Sequence, residues 1–357
     1  MDRLIQEKKS RIFLFIATFS LIGLFFYFLS LDSISSRIPQ FNINGNTMGT
    51  TYSISIRNAN INNPELIKNG VDSILNVINN SMSTYIDNSE ISLFNKIEKN
   101  KVSSISEHFY NVFKKSNYYY NLSEKKFDPT IGPLYDLWGF KGHRILDEPT
   151  KLQVKEALDL IGMDKIFLVN KQDSYLEKYY LSKRKDGVSI DFSAIAKGYA
   201  VDVISEYLIN MGFTNHFVEI GGEIRTSSNS RAWSIGIQNP LMNGSMNKVD
   251  LLNKSIATSG NYANYIEYLD TGSIKTHIID PKTGYPLDMR EGVVSSATVI
   301  ADKCIDADAL ATILMLLDIE KGIELVEQLN DTDAYIVYLK DSILYDRETS
   351  GFKQYVK

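Results

Sequence analysis

Asp308 and Thr312 stand four residues apart in Ala301-Asp-Lys-Cys-Ile-Asp-Ala-Asp-Ala-Leu-Ala-Thr312, a stretch that runs on into Ile-Leu-Met-Leu-Leu. On a helix that spacing puts both side chains on one face. A carboxylate and a hydroxyl are hard oxygen donors that suit Mg²⁺, which takes few protein oxygens and completes its octahedron with water and substrate phosphate. The same stretch also reads as a solvated first helical turn, with Asp302, Asp306 and Asp308 favoured by the helix dipole. A second group lies in Val188-Ser-Ile-Asp-Phe-Ser-Ala-Ile-Ala-Lys-Gly-Tyr-Ala-Val-Asp202. There a strand pattern passes into a helix, and a helix N-terminus offers unpaired N–H groups and partial positive charge to a phosphate. Lys197, one turn into that helix, reaches the same anion. Asp191 and Ser193 at the junction also suit plain helix caps.

Further polar, glycine-bearing segments fall at element ends. In Asn46-Thr-Met-Gly-Thr-Thr-Tyr52, Gly49 lets the backbone approach a neighbouring strand or a ligand. Ser83-Thr-Tyr-Ile-Asp-Asn-Ser-Glu-Ile91 reads as a helix-to-helix connection, with Ser89 and Glu90 as capping residues and Tyr85 as a surface aromatic. Phe127-Asp-Pro-Thr-Ile-Gly-Pro-Leu-Tyr-Asp-Leu-Trp-Gly-Phe140 carries two prolines and two glycines, so it reads as an irregular apolar loop of the kind that lines pockets. Glu219-Ile-Gly-Gly-Glu-Ile224 is a strand followed by a paired-glycine turn, and Ala257-Thr-Ser-Gly-Asn-Tyr262 is another polar turn. Thr276-His-Ile-Ile-Asp-Pro-Lys-Thr-Gly284 holds good turn chemistry and His277, alone among the four histidines in lying inside such a segment.

The elements that must position these residues are a mixture. Thr51–Arg57 alternates as a half-buried strand, and Asn63-Pro64 opens a helix with the apolar stripe Ile67, Val71, Ile74, Leu75 and Ile78. Helices are expected over 106–121, Ala194–Met211, 305–317 and 320–329. Strands are expected over 165–170, 187–192, 216–220, 232–238, 292–300, 334–339 and 342–346. No strict βαβ rhythm appears, so the fold class is α+β. Of the 357 residues, 44% are hydrophobic and 23% charged, which gives a real core; the net charge of −5, with no basic block, gives no sign of a nucleic-acid partner. A single cysteine, Cys304, excludes an internal disulfide and reads as a half-buried packing residue.

The N-terminus differs from the rest. Ile12–Leu31 is free of charge and, at about 1.5 Å per residue, spans a hydrocarbon core of about 30 Å. Arg3, Lys8, Lys9 and Arg11 precede it, so the positive-inside rule puts residues 1–11 in the cytoplasm, a single-pass anchor at 12–31, a tether at 32–40 and the body (41–357) on the extracytoplasmic side of the cytoplasmic membrane. A cleaved signal peptide is the rival reading, with a long apolar run and a poor cleavage site against it.

In this order the segments resemble the ApbE family of FAD:protein FMN transferases, over roughly Asn42 to Leu317. Asp191-Phe-Ser-Ala-Ile-Ala-Lys-Gly-Tyr-Ala, His277-Ile-Ile-Asp-Pro-Lys-Thr-Gly and Asp308-Ala-Leu-Ala-Thr312 carry the resemblance most specifically. Phe192 stands where leucine is usual, an apolar exchange. The resemblance implies an ApbE-like α+β fold, with mixed or antiparallel sheets, flanking helices and FAD in a cleft between two parts of the domain. It implies Mg²⁺ on the Ala194 carbonyl, Asp308 and Thr312, and FAD contacts at Met48, Tyr85, Asp128, Pro129, Thr130, Asp191, Lys197 and Ile279. The implied reaction moves FMN from FAD to a Ser or Thr hydroxyl of an acceptor protein, such as a subunit of a membrane redox complex or another extracytoplasmic electron-transfer protein, and releases AMP. His277 is the expected base for that hydroxyl, because imidazole titrates near neutrality. Alternatives are an FAD pyrophosphatase using the same metal site, and a tethered FAD-binding protein without chemistry.

Overall fold

The computed structural model describes residues 40–58, 60–141, 147–169, 179–241, 244–262, 264–268, 271–288, 293–341 and 343–357. The expected anchor at 12–31, its flank and residues 32–39 of the tether lie outside these; Gln40, read as the tether's end, begins the strand Gln40–Thr47. Among the described residues no helix is long and apolar enough to cross a membrane. Residues 42–56 and 61–357 form one compact unit; of the other grouping (1–41 and 57–60), only residues 40, 41, 57, 58 and 60 are described.

An eight-stranded sheet organises the compact unit, in the order Gln40–Thr47, Thr50–Arg57, His216–Ile220, Glu223–Ser227, Ser255–Gly260, Val294–Ala301, Asp333–Lys340 and Ile343–Glu348. Its ladders from Thr50–Arg57 outward are antiparallel. All residues of Val294–Ala301 are buried, because this strand is covered on both faces. On one face lie the helices Cys304–Leu316 and Ala196–Asn210, each packed on the sheet and on the other. On the opposite face the two-stranded sheet Trp233–Gln238/Ser245–Leu251 turns Ile235, Ile237, Val249 and Leu251 onto Ile224, Ile256, Ile300 and Val337. The strict alternation of buried and exposed residues along Trp233–Gln238 is what that one-sided covering requires.

A three-stranded sheet, Tyr265–Glu267, Ile274–Asp280 and Tyr285–Asp288, packs its apolar side on the Gly132–Leu137 and Lys151–Leu158 helices. Trp138, fully buried, donates its indole N–H to Gly284 O at 2.8 Å and accepts at its own carbonyl from the Tyr268 hydroxyl at 2.9 Å. The segment expected as an irregular loop therefore contains a short helix and supplies core. The 187–192 stretch is no strand: Val188–Asp191 runs outside any ladder, held by side chains. Helix and strand bounds elsewhere fall within a few residues of expectation, as in Ala196–Asn210 and Cys304–Leu316. Cys304 is fully buried rather than half-buried. The strands Ser255–Gly260 and Ile274–Asp280 were not legible as such, since polar and small residues interrupt their apolar pattern.

Candidate functional site

Several turns gather at one end of the large sheet. Tyr52 pairs with Ile220, so the Met48-Gly49 turn and the Gly221-Gly222 turn are neighbours; Gly221 N–H donates to Thr51 O at 3.2 Å. Met48 (φ 49°) and Gly49 (φ 73°) both adopt the left-handed conformation of a two-residue hairpin. That conformation is natural for Gly49 and costly for Met48, a strain of the sort kept at functional positions. Glu223 begins the next strand, and the antiparallel register of Ser255–Gly260 against it brings Ser259 to the same end.

Asp308 does not sit in a solvated turn. It is 4% exposed, and its Oδ2 accepts the N–H of Gly198 at 2.9 Å. The other two acidic residues of its segment are engaged elsewhere: Asp306 with Lys115 and the Tyr119 hydroxyl, Asp302 with Lys254. Gly198 is required for this contact, since a Cβ there would lie 2.4 Å from Cys304 O and 2.8 Å from Asp308 Cβ. Thr312, one turn beyond Asp308, is half-buried with its hydroxyl 3.2 Å from that of Ser259. Ala194 lies in the turn that precedes the Ala196–Asn210 helix.

Lys197 is bound by the carboxylate of Glu223. Burial opposes the lysine's charge, but Glu223 and Asp308 together more than offset it and raise its pKa. Burial and the charge of Asp308 push Glu223 up to about 8, against the opposing pull of Lys197. Asp308 is raised too, by burial, partly countered by Lys197 and the Gly198 N–H. Two buried carboxylates thus face one ammonium, and Glu223 Oε2 has no hydrogen-bond partner among the described residues. Burial holds protons on these carboxyls that a second positive charge would displace, and with hard oxygen donors a helical turn apart the site fits a divalent cation.

The other expected residues cluster through the backbone. Asp191 N–H donates to Pro129 O at 2.7 Å, which joins the two motifs. Asp128 Oδ1 accepts from the Thr130 N–H (2.8 Å) and hydroxyl (2.5 Å), and burial raises its pKa. Asp191 and Ser193 do not cap the helix: Asp191 Oδ1 accepts from Ser193 N at 2.8 Å, while Ile195 is the N-cap and brings no side-chain bond. Tyr85 is 78% exposed yet close enough for Asp191 to raise its pKa beyond the effect of burial. Tyr135, which sequence reading passed over, joins them; burial first, then Asp191, lifts its hydroxyl well above the ordinary range. The Val188–Asp191 stretch is fixed by Asn95, whose amide brackets Ile190 N and O (2.7 and 2.8 Å), and by the buried Lys183, which donates to Val188 O at 3.0 Å.

His277 lies on the Ile274–Asp280 strand with Nδ1 3.0 Å from Asn264 O. A carbonyl only accepts, so Nδ1 carries the proton of the neutral ring and Nε2 is the basic atom. Burial and then the nearby Lys197 charge hold this histidine below its ordinary pKa, with the Asn264 bond opposing. Ile279 is 3% exposed with its side chain in the apolar cluster around Trp138, so its side chain is committed to the core and any ligand contact falls to its backbone.

Glu223, Gly198, Ser259 and Tyr135 are neighbours of the expected site residues that the sequence did not single out. Glu223 followed a Gly-Gly turn and Gly198 followed Lys197, but neither signal says which distant residue it meets. An antiparallel sheet gathering a buried carboxylate, a half-buried hydroxyl and a lysine at one end has donors suited to a cation and an anionic ligand; the helix N-terminus expected to meet a phosphate is closed instead, with the Ala196 N–H on Phe192 O and the Gly198 N–H on Asp308. Residues 48–336 match the model of the ApbE family, and the chain belongs to that family. It is 34% identical over 336 residues to the FAD:protein FMN transferase of Haemophilus influenzae, across 91% of this chain and 94% of that protein. Identity to the Vibrio cholerae protein of the same name is 34% over 335 residues, covering 92% and 96%. In three dimensions it is similar to the flavin transferase ApbE from Vibrio cholerae, with a TM-score of 0.78 and 32% identity, covering 89% of this chain and all (100%) of that one. It is also similar to the apo form of the Pseudomonas stutzeri flavinyl transferase ApbE (TM-score 0.77, 27% identity, 89% and 97% covered).

Proposed function

We propose that this chain transfers the FMN portion of FAD to a Ser or Thr hydroxyl of an acceptor protein, with Mg²⁺ on the Ala194 carbonyl, Asp308 and Thr312. The observation that carries the reading is the buried Asp308, anchored by Gly198 N–H and facing Lys197 and Glu223. The names of the relatives support the flavin chemistry. A divalent cation held by these residues would supply positive charge to the transferring phosphoryl group.

The chain's own residues do the rest. Asp308 and Thr312 offer oxygens from one helical face, and the Gly198 bond holds the carboxylate in one orientation. Lys197 adds a fixed positive charge, kept protonated by its acidic neighbours. Met48, Tyr85, the 128–130 loop, Asp191 and the Ile279 backbone hold the flavin nucleotide, so that the FMN-side phosphorus meets the acceptor hydroxyl in line. The hydroxyl oxygen bonds to that phosphorus, the bond to the AMP oxygen breaks, and the hydroxyl proton passes to His277 Nε2. AMP leaves with the electron pair.

An acceptor on the extracytoplasmic side, in a membrane redox complex, follows from the reading of Ile12–Leu31 as an anchor. The test is incubation of the chain with FAD, MgCl₂ and a flavin-acceptor domain. Transfer adds FMN to the acceptor mass. Free FMN without acceptor labelling indicates a pyrophosphatase, and intact FAD a binding protein; either result overturns the proposal.

A further inference from the structure

The helix that carries Asp308 and Thr312 does not cap itself. Its N-cap residue, Lys303, makes no side-chain bond to the helix. The first two N–H groups are instead taken by Asp202 from the neighbouring helix: Cys304 N donates to Oδ1 at 3.0 Å and Ile305 N to Oδ2 at 2.9 Å. Asp202 is 5% exposed and is held in place by Arg225, whose Nη1 lies 2.7 Å from Oδ1. The reverse contact also exists. The Ala196–Asn210 helix likewise lacks a side-chain cap, and its third N–H, that of Gly198, is taken by Asp308. Each helix therefore has its N-terminus satisfied by a carboxylate of the other.

This reciprocal arrangement fixes geometry. Cys304, Asp308 and Thr312 are spaced by four, so they share one face, and Asp202 grips that face at its start. The Gly198–Cys304 crossing is too close for a Cβ, so the helices meet backbone to backbone. Glu223 and Arg225, two apart on one strand and so on one face, hold Lys197 and Asp202 of the same helix.

We propose that Asp202 is a positioning residue for the cation site: by capping the Cys304–Leu316 helix it sets the height and rotation at which Asp308 and Thr312 present their oxygens. The proposal rests on the reading of that pair as cation ligands. Groups that orient metal ligands without touching the ion are worth about 10- to 100-fold in affinity. The experiment measures Mg²⁺ dissociation constants by calorimetry, without turnover, on the full chain and its Asp202→Ala, Asp202→Asn and Asp308→Ala variants, with thermal midpoints taken in EDTA. Asp202→Ala is expected to weaken Mg²⁺ about 10-fold or more, and Asp202→Asn, which keeps one acceptor oxygen, by less. A lower thermal midpoint with an unchanged Mg²⁺ constant makes Asp202 a structural cap only and overturns the proposal. Should Asp202→Ala fail to fold, an unchanged constant for Asp202→Asn overturns it in the same way. If Asp308→Ala binds Mg²⁺ as well as the parent chain, the ligand reading itself falls and takes the proposal with it.

Discussion

Lys197 and Glu223 form an ion pair in which only the lysine has a route to solvent: its side chain is 30% exposed, that of Glu223 4%. Glu223 keeps one oxygen, Oε2, without a partner among the described residues. Losing either member unbalances the other. Lys197→Met leaves two buried carboxyls without their ammonium, and the folded state should lose about 3 kcal/mol, the small end for a broken buried pair because Lys197 is partly solvated and the carboxyls can take up protons. Glu223→Gln keeps an acceptor for Lys197 but cannot give up a proton when the cation arrives, so the Mg²⁺ concentration for half-maximal transfer should rise about 10-fold. Denaturant unfolding and a Mg²⁺ titration of the initial rate check the two expectations.

His277 supplies a pH dependence whose sign is fixed by its environment. Its pKa is held below the ordinary 6.5, so the neutral ring predominates at and above that pH. Transfer should be level through neutrality and fall only as pH drops below 6.5, by about tenfold per pH unit once the ring is mostly protonated. His277→Ala should lower kcat by about 100-fold and remove the acid limb. A variant that keeps the limb would show that another group titrates.

Gly198 is the closest approach between the two site helices. In Gly198→Ala the new methyl meets the Cys304 carbonyl, a backbone atom that cannot swing away. Overpacking of this kind costs about 1–3 kcal/mol, and the helices must separate to relieve it. The thermal midpoint should drop, and Mg²⁺ affinity should drop with it. A stable variant with wild-type affinity would refute the tight crossing.

Single elements were more legible than the contacts between them. Asp308 and Thr312 were readable because helical period is a local property, and the Ala196–Asn210 helix was readable from its apolar spacing. What local pattern could not show was the partner of each polar residue. Asp191 looked like a helix cap and instead accepts from Ser193 while its N–H bonds to Pro129. Val188–Ile190 looked like a strand, yet its hydrogen bonds go to Asn95 and Lys183, residues roughly ninety and five positions away. The Ile279 side chain packs beside Trp138, which no local pattern announced, and leaves only its backbone for the ligand contact its motif implies. The contacts to Pro129 and Asn95 join residues distant in the chain, and those to Ser193 and Lys183 are local side-chain bonds that compete with regular secondary structure.

His216 offers a stability test outside the site. It is 0% exposed, with Nδ1 2.7 Å from Phe213 O and Nε2 2.7 Å from Ser205 Oγ. Burial lowers its pKa from 6.5 to about 4. Between those values the unfolded chain binds the proton that the folded chain refuses, so stability is full above pH 6.5 and declines as pH falls toward 4. The decline attributable to this residue is roughly 3 kcal/mol. Denaturant unfolding at pH 7 and pH 4.5 should show it in the parent chain, and a His216→Gln variant should lack that part of the slope.

The proposed transfer depends on one divalent cation seated by Asp308 and Thr312. The most direct measurement is the intact mass of an acceptor domain after incubation with FAD and graded MgCl₂, using the parent chain, Asp308→Ala and Thr312→Val. The expected result is Mg²⁺-dependent flavin labelling by the parent chain, loss of at least about 100-fold in rate for Asp308→Ala, and a higher Mg²⁺ requirement for Thr312→Val. Labelling by the parent chain in EDTA, or undiminished labelling by Asp308→Ala, would contradict it.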